Sequence, residues 1–113
     1  MKNKIISWLV ATLAIIVSAY ILPGVTVSSF FAAFVAALVL GIINAFIKPV
    51  LIILTLPLNV LTLGLFTFII NALLIMLTGI IVPGFEVASF WWALLFGLIL
   101  SLVNFVLHSI AKD

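Results

Sequence analysis

Charged positions are so sparse along this chain that they act as punctuation. They fall at Lys2, Lys4, Lys48, Glu86, Lys112 and Asp113, and leave uncharged stretches of 43 residues (5–47), 37 residues (49–85) and 25 residues (87–111). A helix rising about 1.5 Å per residue needs about 20 apolar residues to cross the ~30 Å hydrocarbon core of a bilayer. The first stretch therefore holds two helices, with Pro23-Gly24 marking the turn between them. The last stretch holds one. The middle stretch would be ~55 Å long as a single helix, so it must break, and Pro57 followed by Asn59 is the favoured place. The pattern predicts four spans: Ile5 to Leu22, Ser29 to Lys48, Leu61 to Val82 and Ser89 to His108. The fold class expected is an all-α membrane protein, a four-transmembrane-helix bundle forming one integral membrane domain over residues 1–113.

Composition agrees and narrows the chemistry. Of 113 residues, 69% are hydrophobic and 5% charged, with a mean hydropathy of +1.72, far from the roughly 45–50% apolar content of soluble domains. The lipid bilayer is thus the first partner. Four lysines against two acids give +2, a surplus made by scarce acids and not by a basic patch, so no nucleic acid is expected. The chain has no cysteine and one histidine, His108, which leaves no metal site, no cofactor and no catalytic pair to assign. No small-molecule substrate is identified, and the expectation is that the chain is not an enzyme. Lys2 and Lys4 before an apolar run also fit a signal peptide, but Tyr20 to Pro23 is not a small-residue cleavage site, so this run is read as a retained first span. Lys2, Lys4, Lys48 and Lys112 all fall on one side of a four-span path. By the positive-inside rule that side, with both termini, is cytoplasmic.

A repeat of sixty residues runs through the chain. Ile21 to Ile47 aligns without gaps on Ile81 to Leu107, with ten of the 27 positions identical, among them Pro23 with Pro83, Gly24 with Gly84, Ser29 with Ser89 and Asn44 with Asn104. Each half holds two spans and enters from the same side, so the repeats are parallel: repeat 1 over 5–48, a linker over 49–60, and repeat 2 over 61–108. Proline stops the outgoing helix at each turn, glycine takes backbone angles other residues avoid, and Ser29 or Ser89 can cap the next helix. The linker break is assigned to Pro49, Pro57 and Asn59, and the segment is interfacial, re-entrant or part of a kinked third helix.

In lipid, small residues that let backbones approach and side-chain hydrogen bonds carry helix packing. Ala33, Ala37, Gly41 and Ala45 recur every four residues on the second span, and Ala93, Gly97 and Ser101 occupy equivalent positions on the fourth. These stripes predict that the two spans face each other or a neighbouring subunit. Asn44 and Asn104 follow the stripes and can bond to each other as structural glue. Asn71 aligns with Ala11 and breaks the repeat, which gives it the best claim among the intramembrane polar residues to a functional role.

The runs NAFIKPVLIILTLPLNVLTLGLF (44–66) and INALLIMLTGIIVPGFEVASFWWALLFGLILSLVN (70–104) resemble the bacterial four-transmembrane phage-holin-like family, superfamily IV, of the YvlD type. The resemblance implies an inner-membrane protein linked to the cell envelope and no catalytic residues. Two functions follow from different classes: a non-catalytic envelope protein acting through packing as a homo-oligomer or with a membrane-protein partner, and a holin-like oligomer or small channel that permeabilises the membrane. A wide pore needs a polar stripe along each lining helix, and the second and fourth spans offer small residues instead.

Overall fold

The computed structural model describes residues 4–111. Five helices and two strands follow in the order α1 (Lys4–Ile21), β1 (Val25–Val27), α2 (Phe30–Leu54), α3 (Leu56–Leu61), α4 (Phe66–Ile81), β2 (Phe85–Val87) and α5 (Phe90–Ala111). α1, α2 and α5 are long and apolar enough to cross a membrane; α4, with 16 residues, is shorter. The four apolar stretches read from the charge spacing correspond to α1, α2, α4 and α5.

These four helices form a ring in which α1 packs on α2 and α5, and α4 packs on α2 and α5. α2 and α5 lie across the diagonal, with no Cα–Cα approach within 8 Å among the described residues. The expected contact between the second and fourth spans is therefore not made within one molecule. The reason is the core: Leu40, Ile15, Ile75 and Phe96 fill the centre and hold the diagonal helices apart. The small stripe residues are used against adjacent helices instead. Ala33, Ala37 and Ala93 are buried in the core, as is Gly97 against α4, while Gly41, Ala45 and Ser101 are exposed.

The two Pro-Gly turns do more than reverse the chain. Each leads into a three-residue strand, and the strands pair antiparallel with Val25 opposite Val87, Thr26 opposite Glu86 and Val27 opposite Phe85. Side chains alternate across a strand, so Val25 and Phe85 plug one end of the core while Thr26 and Glu86 point away. Two further bonds of 2.8 Å, Ser28 N–H to the Gly84 carbonyl and Ala88 N–H to the Gly24 carbonyl, extend the ribbon at both ends.

The two glycines serve different ends. Gly84 has φ 90°, where a side chain is strained, and a Cβ there would also meet Ser28 and Ala32. Gly24 has no such angle; a Cβ there would collide with the Trp92 indole, so its role is close approach between the first turn and α5. Ser29 caps α2 by accepting from the Ala32 N–H at 3.1 Å.

The expected break at Pro49 does not occur: Pro49 lies inside α2, which continues to Leu54. Proline removes one donor, the one Ala45's carbonyl would have used, and neighbouring helices in a bundle support the flanking turns. The helix ends at Thr55, whose hydroxyl turns back to the Leu51 carbonyl at 2.7 Å. Pro57 then occupies the first turn of α3, where its missing N–H costs nothing.

Candidate functional site

The polar groups of the bundle gather at the end opposite the ribbon. Asn71, on α4, is the centre of one group. Its Oδ1 accepts from Lys48 Nζ of α2 at 3.3 Å, and its Nδ2 lies over Gly97 of α5, where a Cβ would come within 2.5 Å. One amide thus ties three helices together, and Gly97 is the position that admits it. The alignment of Asn71 with Ala11 gave no sign of this, because the partners come from elsewhere in the chain: Lys48 from the first half and Gly97 from α5.

Asn59 centres the second group and is the buried residue of α3. Its Nδ2 donates to Thr55 Oγ1 at 3.2 Å, its Oδ1 accepts from Thr67 Oγ1 at 2.8 Å, and its carbonyl accepts from the Gly64 N–H at 2.7 Å. The Leu63 N–H bonds to the Val60 carbonyl at 3.2 Å. Together these close α3 with a Schellman turn, with Leu63 at φ 58° and Gly64 at φ 89°. Asn59 thereby joins the end of α2, α3 and the start of α4 into one unit.

Asn44 and Asn104 are not brought together. They stand on the diagonal helices, Asn44 is exposed, and Asn104 Oδ1 is buried without a hydrogen-bond partner among the described residues. Lys2 and Lys112 lie outside the described residues. Lys4 lines a groove of about 550 Å³ between α1 and α2, together with Trp8, Gly41, Ala45 and Phe46, at the same end of the bundle as Lys48. Glu86 is on the ribbon at the other end.

Trp8 is a lock between α1 and α2. Its ring stacks on Phe34 at 4.0 Å and 18°, and Nε1 donates to the Phe34 carbonyl at 2.9 Å. The hydroxyls deep in the bundle are turned to their own helices: Thr12 bonds to the Trp8 carbonyl and Thr78 to the Leu74 carbonyl, both at 2.9 Å. Ser18 is fully buried with its hydroxyl unpartnered among the described residues. Between them Ile15, Ile75, Phe85 and Phe96 pack the axis, and among the described residues this apolar filling, closed by the ribbon, leaves no polar path through the middle of one molecule.

A mostly helical chain with this many exposed apolar side chains and an apolar centre is a polytopic membrane protein. Residues 2–106 match the family described as mycobacterial 4 TMS phage holin, superfamily IV, and the chain belongs to that family. It is similar to the uncharacterized protein SCO3922 of Streptomyces coelicolor, 36% identical over 123 aligned residues that cover 100% of this chain and 98% of the relative. It is also similar to the uncharacterized membrane protein YvlD of Bacillus subtilis, 41% identical over 99 residues covering 87% and 82% of the two chains. No solved structure matches it.

Proposed function

We propose that the chain is a non-catalytic, envelope-associated protein of the bacterial inner membrane that works by packing its helices against further copies of itself or a partner membrane protein. The observation that carries this reading is the Gly41 to Ala45 surface of α2. Both residues are exposed, and a Cβ added at Gly41 meets nothing within 4 Å. In lipid such a spot is where another helix can approach closely. The lysines support an orientation with both termini and α3 in the cytoplasm-facing half and the ribbon outside. The sixty-residue alignment, together with the matched α1–α2 and α4–α5 pairs, supports two parallel two-helix repeats related about an axis through the Thr26–Glu86 pair.

A test compares wild type with Gly41→Leu by subunit counting in nanodiscs. Wild type is expected as an oligomer and the variant as a folded monomer. Wild type found monomeric, or an unchanged oligomer in the variant, would reject the α2 interface.

The second reading, a holin-like oligomer, draws on the exposed Asn44 amide and Ser101 hydroxyl of α2 and α5. A polar amide facing lipid is unfavourable, and several copies would bring such groups together around an opening. Asn71, bonded to Lys48 and packed over Gly97, is not placed to supply such a lining group.

A further inference from the structure

We infer that residues 54–65 form a foot immersed among the acyl chains of a single leaflet, the one at the α3 end, and that its partner is lipid. Three independent observations lead there.

The first is exposure on all sides. In α3, Leu56, Leu58, Val60 and Leu61 are 48–79% exposed, Leu63 and Leu65 beyond it are 92% and 63% exposed, and Asn59 alone is buried. A docking protein covers one face of a helix, whereas lipid surrounds it. The apolar surface is also continuous with the membrane-facing side of α2 through Val50, Ile53 and Leu54, and no charge occurs between 49 and 85.

The second is the way polar groups are spent. A loop in water leaves its backbone and hydroxyls to solvent, but in hydrocarbon each must be satisfied internally. Here the side chains of Thr55, Asn59 and Thr62 all bond to groups of the segment or its flanks, the exposed Thr62 hydroxyl donating to the Leu58 carbonyl at 2.9 Å and accepting from the Phe66 N–H at 3.1 Å. The amides of Thr62, Leu63, Gly64, Leu65, Thr67 and Phe68 all find carbonyls within the segment or its flanks.

The third is length. α2 has 25 residues, about 37 Å, and α4 has 16, about 24 Å. Both begin or end at the ribbon, which carries Glu86 at the opposite surface. α4 is too short to reach the far boundary of a ~30 Å core, so the residues that lead into it, Thr62 to Leu65, start at hydrocarbon depth, with α3 joined to them by its closing turn.

That the leaflet is the cytoplasmic one rests on the orientation proposed above; immersion does not. The chain has no native cysteine, so single nitroxide labels can be placed at Leu61→Cys, Leu63→Cys and, as a water-exposed reference, Thr26→Cys, in vesicles of phosphatidylcholine and phosphatidylglycerol. Collisions with oxygen should be frequent at positions 61 and 63, and collisions with a water-soluble nickel chelate about tenfold rarer there than at position 26, as burial in hydrocarbon requires. Nickel access at both foot positions equal to that at 26 would overturn immersion. Immobilised labels shielded from both reagents would overturn lipid as the partner and point to protein. Sidedness is read separately, by an impermeant thiol reagent on Lys4→Cys, so an inverted orientation and a failed foot give different results.

Discussion

At the scale of single residues, three glycines that look alike in sequence separate into three cases. Gly97 gives Asn71 its place, Gly24 gives Trp92 its place, and a Cβ added at Gly41 meets nothing among the described residues. Gly97→Leu and Gly24→Leu should each lower stability by about 1–3 kcal/mol or more, the usual cost of forcing bulk into a packed contact. Gly41→Leu should unfold like wild type at dilutions that leave both monomeric, because its effect is on assembly. Equilibrium unfolding in mixed micelles checks all three. Leu63 poses the reverse case: a branched side chain at φ 58°, an angle that costs about 1–2 kcal/mol outside glycine. Leu63→Gly should therefore raise stability by up to about 1 kcal/mol in the same assay, and a clear loss would mean that the exposed leucine is held by contacts with lipid. The stripe of small residues was visible from spacing alone; which neighbour each member meets was not, since the choice depends on core volume at Ile15, Ile75, Leu40 and Phe96.

The elements of this chain differ in how much sequence pattern each carries. The helices follow from apolar runs too long to be anything else in a bilayer. The ribbon does not: Val25-Thr26-Val27 and Phe85-Glu86-Val87 do alternate, but three residues give too little pattern to distinguish a strand from a turn, and their pairing joins positions sixty apart. Pro49 misled in the other direction, because the rule that proline breaks helices is weaker where adjacent helices hold the backbone. Asn59, placed at the break beside Pro57, organises that break through its side-chain amide and its carbonyl. Asn59→Ala should speed amide hydrogen exchange over residues 62–67 and leave α1 and α5 protected; uniform acceleration would show that the α3 unit is not a separate element. For the ribbon, Thr26→Cys with Glu86→Cys should form an intramolecular cross-link on mild oxidation, with Thr26→Cys and Val50→Cys as a pair that does not.

For the whole molecule, the arrangement is a closed ring of four helices with an apolar axis, a ribbon sealing one end and a hydrogen-bonded α3 unit at the other. Among the described residues the groups that acid-base or metal chemistry would use are few and far apart: Lys4 and Lys48 at one end, Glu86 at the other, and His108 near the end of α5. The surface left over, at Gly41, Ala45, Asn44 and Ser101, is exposed, and it is the basis of the packing between molecules proposed above. The most direct measurement is release of a dye of several hundred daltons from proteoliposomes, followed as protein density rises while oligomer size is counted on the same sample. The account predicts assembly with increasing density and dye retained throughout. Rapid release that appears with the oligomer and disappears in Asn44→Leu, with the protein still folded, would contradict it and establish the holin-like reading.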